Sequence, residues 1–300
     1  MVSFESFTGA HEFKNINKSI MSDEVKCLSI VATPIGNLKD ISERAIQTIK
    51  NAEVVICENP NHSLKLLNNL GIKKKLVSLH DYNEKRVVER ISEDLISKNI
   101  VLISDAGSPL ISDPGYKLID YCIKNNINVT SIPGPTSIIP SLQLSGIPIN
   151  EFHFTGFFPK SSKLIENFVL KIKETRVTTV FFVSSHKLKT CLKHLEKKLP
   201  DRKISIAKEL TKINEKVFRG VAKNVGDQLS LKKESFKGEF VIVVEGKAEK
   251  ETNFVNLEVY NEQIIKLISK FSLTDVVEIV HKLTRIKKNA VYKWVLSLKK

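Results

Sequence analysis

Three hundred residues with 42% hydrophobic and 27% charged side chains make an ordinary globular composition, long enough for two domains of common size. Collagen-like, mucin-like and long disordered chains are excluded, and no window approaches the roughly 18 uninterrupted apolar residues that a membrane span requires. The formal net charge of +14 favours a polyanionic partner such as nucleic acid, because a basic surface gains from long-range fields and counterion release. Only seven of the 47 basic residues are Arg, and a Lys excess with abundant Asn and Ile is also what codon bias in an AT-rich genome produces.

Residues 1–24 carry no sustained periodicity and read as a disordered extension, or as an upstream start before a true start at Met21. They lack the basic start and apolar run of a secretory signal, which points to a cytoplasmic protein. Cys27, Cys57, Cys122 and Cys191 are far apart and form no C-x-x-C pair, so buried free thiols and no metal site are expected.

From Cys27 short apolar runs alternate with amphipathic helical patterns, the signature of a parallel α/β sheet. Strands are predicted at 27–32, 54–57, 76–78, 101–105 and 129–133, and helices at 42–51, 83–98, 114–125 and 136–145. These make an N-terminal α/β domain over 25–148. A second α/β domain over 149–247 follows, with strands at 153–158, 178–184, 203–210, 217–222 and 239–245, and helices at 163–174 and 187–199. Its last strands have little between them, as in a mixed sheet. Beyond a polar stretch at 247–253, helical patterns at 261–271, 273–283 and 287–298 make a small appendix over 254–300. Its last helix sets Lys287, Lys288, Lys293, Lys299 and Lys300 around the chain's only Trp, Trp294. That suits a phosphate-facing surface, or a solvated basic face with Trp294 packed inward.

Three turns after strands of the first domain look built for a ligand, since open α/β sheets bind at the carboxyl ends of their strands. In Ala32-Thr33-Pro34-Ile35-Gly36-Asn37-Leu38-Lys39-Asp40, Pro34 stiffens the turn and Gly36 permits close backbone approach. G-x-G-x-x-G is missing, so a standard dinucleotide fingerprint is excluded. In Ser104-Asp105-Ala106-Gly107-Ser108-Pro109, continuing to Gly115, Asp113-Pro114 reads as a helix N-cap. Asp105 has no such duty, and it either accepts hydrogen bonds from a ribose or amine or braces its own loop. Pro133-Gly134-Pro135-Thr136-Ser137 presents two hydroxyls and backbone N–H groups at a helix start.

These three stretches together resemble the tetrapyrrole-methylase superfamily, and more narrowly its bacterial 16S rRNA (cytidine-2'-O)-methyltransferase family. The resemblance runs on through Ala207-Lys208-Glu209-Leu210-Thr211-Lys212, Arg219-Gly220 and Lys237-Gly238-Glu239-Phe240-Val241. It implies an α/β fold of two domains with the cofactor cleft between them, in a homodimer. It further implies S-adenosyl-L-methionine as cofactor and 2'-O-methylation of a decoding-centre cytidine in the 16S rRNA of the small ribosomal subunit. Three departures stand out. Cys57-Glu58-Asn59-Pro60-Asn61-His62 replaces the usual C-E-D-T-R-H, and Phe182-Val183-Ser184-Ser185-His186-Lys187 replaces Y-E-S-P-H-R. In Ala207-Lys208-Glu209-Leu210-Thr211-Lys212-Ile213-Asn214-Glu215, Lys208 replaces an Arg and Asn214 a His.

On this reading Pro34, Gly36, Asp105, Gly107, Ser108, Thr136 and Ser137 bind the cofactor. Glu58, His62 and His186 are candidate general bases, and Lys187, Lys208, Lys212 and Arg219 are candidate RNA contacts. Methyl transfer from a sulfonium to a ribose hydroxyl is an in-line displacement, in which alignment carries the larger share and a positioned base adds roughly 10² to 10⁴-fold. Two other readings remain: a tetrapyrrole C-methyltransferase, against which the missing glycines of the first loop argue, and a catalytically impaired RNA-binding assembly factor, to which Asn59, Asn61 and Val183 give substance.

Overall fold

The structure, a computed structural model, describes residues 26–231, 236–248, 257–284 and 286–299. The extension expected over 1–24 lies outside the described residues, as do Arg285, Lys300 and most of the polar stretch before the appendix.

The first half forms a five-stranded sheet from β1 (Cys27–Val31), β2 (Val54–Cys57), β3 (Lys75–Ser78), β4 (Ile100–Ile103) and β5 (Asn128–Ile132), in the order β3-β2-β4-β1-β5. All its pairings are parallel. The strands Val-Val-Ile-Cys and Ile-Val-Leu-Ile are buried along their whole length, as expected where helices cover both faces. Register brings Val31, Cys57, Ile103 and Ile132 level at one edge, so the loops after β4, β1 and β5 leave side by side.

The covering helices are α1 (Glu43–Asn51), α2 (Pro60–Asn69), α3 (Glu84–Ser97), α4 (Tyr116–Lys124) and α5 (Ile138–Ser145). Ser42 Oγ caps α1 by accepting from Ala45 N at 3.1 Å. Helix α2 is absent from the sequence reading. It starts at Pro60, with Asn59 Oδ1 accepting from Asn61 N at 3.1 Å. The start of α4 corrects the cap predicted at Asp113-Pro114. The N-cap is Gly115 at φ 130°, where a side chain would strike Leu110 and Leu102. The free N–H groups of Lys117 and Leu118 are instead met by buried Glu84 Oε1 of α3, at 2.6 and 3.1 Å.

The second sheet contains β6 (Phe152–Phe157), β7 (Thr178–Ser184), β8 (Lys203–Lys208), β9 (Lys216–Val221) and β10 (Glu239–Val244), in the order β6-β7-β10-β8-β9. Only β6 and β7 are parallel, so the sheet is mixed, as the sequence predicts. Helices α6 (Ser162–Glu174), α7 (Leu188–Lys198) and α8 (Ala222–Leu231), the last not predicted, accompany it. One face packs around Phe158, Phe181, Leu188 and Leu195. The other receives Ile138 and Leu142 of α5 against Val180, Ala207, Val241 and Val243. Helix α5 therefore starts at a first-sheet loop and packs on the second sheet, and both sheets fall in one compact unit, residues up to Lys173 with Val177–Glu245.

The second unit, Gly246–Lys300 with Glu174–Arg176, contains α9 (Asn261–Ile268), α10 (Leu273–Thr284) and α11 (Lys288–Leu298). Ile264, Val276, Val277, Val280, Val291 and Val295 form its core. Trp294 faces inward and donates from Nε1 to Asn261 Oδ1 at 3.2 Å.

Candidate active site

The three predicted turns meet at the carboxyl edge of the first sheet. Thr33 and Gly107 exchange both backbone hydrogen bonds, at 2.8 and 2.9 Å, which zips the first loop to the second. Thr33 Oγ1 donates to Ser104 O at 3.1 Å and Ser104 Oγ to Gly107 O at 2.8 Å, so both buried hydroxyls are spent on holding this joint. Ser108 Oγ reaches Pro135 O of the third loop at 3.4 Å. Gly134 lies so close to the first loop that a Cβ there would stand 3.0 Å from Ala32 Cβ.

Against these turns sits the β8–β9 turn of the second sheet. Between them opens a pocket of about 530 Å³ lined by Ile35, Asp40, Gly134, Pro135, Thr136, Ile139, Pro140 and Thr211. That volume lies in the range of small-molecule sites. Thr211 Oγ1 is buried and has no hydrogen-bond partner among the described residues, an uncompensated cost in a folded chain. Among the described residues five non-glycines have positive φ. Four of them, Leu110, Ser112, Glu209 and Thr211, belong to the second loop and the β8–β9 turn. Left-handed backbone at such residues costs on the order of 1–3 kcal/mol each and collects where function holds it.

Beside the pocket the ends of β2 and β4 gather carboxylates. Asp105 Oδ1 accepts from Asn59 N at 3.3 Å and stands 3.7 Å from His62 Nδ1, while its Oδ2 makes no hydrogen bond among the described residues. Desolvation pushes the Glu58 carboxyl above its ordinary value, the Asp105 and Asp81 carboxylates add to the shift, and the His80 imidazole opposes it. Asp113 is pushed up to about 6 by burial, then by Glu58 and Asp105, with a hydrogen bond from Ser104 partly offsetting these.

Of the residues predicted for the cofactor, Thr136 lines the pocket, and Pro34 and Gly36 belong to the loop that contributes Ile35 and Asp40 to its wall. Gly107 and Ser108 brace the loops from behind, and Ser137 is the N-cap residue of α5 with no side-chain cap bond. Asp40, Ile139, Pro140 and Thr211 were not singled out as contacts. The structure brings Glu58 and His62 into the neighbourhood of Asp105, but not His186. His186 follows β7, its Nε2 3.4 Å from Ser184 Oγ, and among the described residues no hydrogen bond or ion pair joins it to Glu58, His62 or Asp105.

The predicted RNA contacts divide. Lys187 donates to Lys160 O at 2.8 Å, Arg219 Nε to Leu144 O at 2.6 Å, and Lys212 pairs with Glu209 and Glu239, each at 3.1 Å. Lys208 is only 4% exposed, because β8 is buried from its second residue onward.

Comparison with known proteins fits this geometry. The family model of tetrapyrrole (corrin/porphyrin) methylases matches residues 27–226. A protein of Halalkalibacterium halodurans named ribosomal RNA small subunit methyltransferase I is 41% identical over 229 residues, 76% of this chain and 78% of its own. One of the same name from Haemophilus influenzae is 37% identical over 283 residues, 92% of this chain and 99% of its own. Among solved structures, a diphthine synthase superposes with a TM-score of 0.55 at 17% identity, covering 73% of this chain and 90% of that one. With the matched residues spanning the first sheet, every strand of the second but β10, and all the turns around the pocket, the chain belongs to the tetrapyrrole methylase family, in the branch of the small-subunit ribosomal RNA methyltransferases I.

Proposed function

We propose that this chain methylates the 2'-hydroxyl of a cytidine ribose in the decoding centre of 16S rRNA, using S-adenosyl-L-methionine. The observation that carries the reading is the pocket between the strand-end turns and Thr211, whose buried hydroxyl lacks a partner among the described residues. The names of the relatives favour small-subunit ribosomal RNA over other acceptors.

The residues fit the cofactor. Ile35, Pro135, Ile139 and Pro140 give apolar walls for an adenosine, and Thr136 and Asp40 give polar contacts. Asp105 has a free carboxylate oxygen for a ribose or an ammonium. When bound, the cofactor supplies a sulfonium methyl, transferred to the ribose oxygen in line with the departing sulfur. The chain's part is to fix that line and take the hydroxyl proton. Glu58 suits the second task, since a carboxyl raised above its ordinary value is a stronger base once ionised. His62, facing Asp105, is the other candidate. His186 belongs to the second sheet and is set aside as base.

The reading of an impaired binding protein loses one of its three supports. Asn59 caps α2, a task Asn performs as well as Asp, so its replacement of an acid needs no loss of chemistry. A homodimer in the cytoplasm belongs to the same proposal, and exposed Tyr116 and Phe157 offer apolar area for a second copy. The test is incubation of the purified protein with S-adenosyl-L-methionine and small subunits lacking the mark. One decoding-centre cytidine should become resistant to alkaline cleavage on its 3' side. Methylation on a base, or none with the cofactor bound, overturns the assignment.

A further inference from the structure

Resting on the reading that the substrate is RNA, we propose that the exposed face of α11 is a second RNA-binding surface, separate from the methyl-transfer site, which grips the sugar-phosphate backbone of the small-subunit RNA. From Ile279 to the end the sequence holds seven Lys or Arg and no Asp or Glu. The last acid before it, Glu278, is already committed to Lys282 at 3.2 Å and Lys288 at 2.5 Å. Lys287, Lys293 and Lys299 are exposed and make no ion pair among the described residues.

Helix geometry separates this face from the core. Val291 and Val295 are buried, with Trp294 and Leu298 beside them, and these side chains complete the packing of the unit. At 100° per residue, Lys288, Asn289, Tyr292, Lys293 and Leu296 share an arc of about 140° on the other side, and exposed Lys299 follows the last turn. Tyr292 is 45% exposed and Leu296 49%. The arc therefore offers ammonium groups for phosphates, an amide, and an aromatic ring for an unpaired base, the combination that binds single-stranded or looped RNA. None of these groups is needed by the unit's own core.

Two hydrogen bonds tie Ile286, just before α11, to α10. His281 Nδ1 lies 2.7 Å from Ile286 O, and Thr284 Oγ1 accepts from Ile286 N at 3.3 Å. A basic loop would pay entropy to bind, whereas a helix fixed at its entrance presents its lysines at set spacing. Helices α9, α10 and α11 lie beyond residue 226, where the family model ends. The Haemophilus relative nevertheless aligns over 92% of the chain, which necessarily includes part of this unit.

The test uses the full chain and unmethylated small-subunit particles, with the dissociation constant measured by filter binding from 50 to 200 mM salt. Replacing Lys293→Gln and Lys299→Gln together should weaken binding about tenfold at the low-salt end and flatten the slope of log K against log salt by roughly 1.4 to 1.8, two phosphate contacts' worth. Tyr292→Ala should weaken it about fivefold or more with the slope unchanged. Lys293→Arg with Lys299→Arg should restore both affinity and slope, which a general loss of folding would not allow. Variants that bind with the wild-type constant and slope overturn the surface and leave the methyl transfer standing. A wild type that binds particles but methylates nothing overturns the activity and leaves the surface. Equal binding of polyglutamate also overturns it, since the face would then be a general polyanion surface.

Discussion

Lys212 lies directly across the α-carbon of Gly36: a methyl group there would stand 2.4 Å from Lys212 Cγ, with Thr211 Oγ1 at 2.8 Å and Leu210 O at 3.1 Å. Lys212 cannot simply swing away, because Glu209 and Glu239 hold its ammonium at 3.1 Å each. The loop after β1 and the β8–β9 turn are thus in contact over one wall of the pocket. Gly36→Ala should push them apart and raise the dissociation constant for S-adenosyl-L-methionine about tenfold, with a stability loss of about 1–3 kcal/mol typical of overpacking. Adding Lys212→Ala removes the obstruction, so calorimetric titration of both single variants and the double should show coupling of at least about 0.5 kcal/mol. Strict additivity would place the two residues out of contact.

Asp105 follows β4 at the carboxyl edge of the first sheet, and its second oxygen makes no hydrogen bond among the described residues. Asp105→Asn keeps size and the contact with Asn59 N while removing the charge. It should weaken cofactor binding by about 1–3 kcal/mol, the range for a hydrogen bond to a charged group. An affinity equal to wild type by calorimetry would confine Asp105 to bracing the start of α2.

Glu58 is proposed to take the ribose proton, and its carboxyl is raised above the ordinary value by desolvation and by Asp105 and Asp81. A base works when ionised, so turnover should fall as pH drops through this raised value, higher than for an isolated glutamate. Glu58→Gln should lower kcat by roughly 10² to 10³-fold with little change in cofactor affinity, and the acidic limb should vanish from the residual activity. Single-turnover methylation across pH 5 to 8 measures both. A variant within threefold of wild type would pass the role to His62.

Much of the scaffold is legible in the sequence because parallel strands buried on both faces must be continuous apolar runs, and Val-Val-Ile-Cys and Ile-Val-Leu-Ile are. Helix α2 is not, since Pro60-Asn61-His62-Ser63 opens it with polar residues and only Ser63 and Leu67 are buried. Helix α8 is obscured in the same way by Asn224, Gly226 and Asp227. For the site, the strand-end turns are readable from Pro and Gly placement. Thr211, Ile139 and Pro140 are not, because their place in the pocket wall follows from packing α5 and the β8–β9 turn against the first loop. The burial of Lys208 is not legible either: within a motif it reads as a surface cation, while β8 is covered on both faces from its second residue onward.

Asp113 links the acidic end of the sheet to stability. Its carboxyl sits at about 6 in the folded chain against 3.8 as a free group, raised first by burial and then by Glu58 and Asp105. The folded state therefore holds this proton more tightly than the unfolded one. The resulting stabilisation is complete below the unfolded value, declines as pH rises between the two values, and is lost above about 6. The gap of about two pH units corresponds to roughly 3 kcal/mol, an upper figure for a group retaining some contact with water. Asp113→Asn abolishes the titration, so its advantage over wild type in urea unfolding should be near zero below pH 4 and grow to about 1–3 kcal/mol by pH 7. Because Glu58 and Asp105 contribute to the shift, Asp105→Asn should narrow the pH dependence without removing it. A wild type whose stability is flat from pH 4 to 7 relative to Asp113→Asn would show that the carboxylates at the ends of β2 and β4 do not share one field.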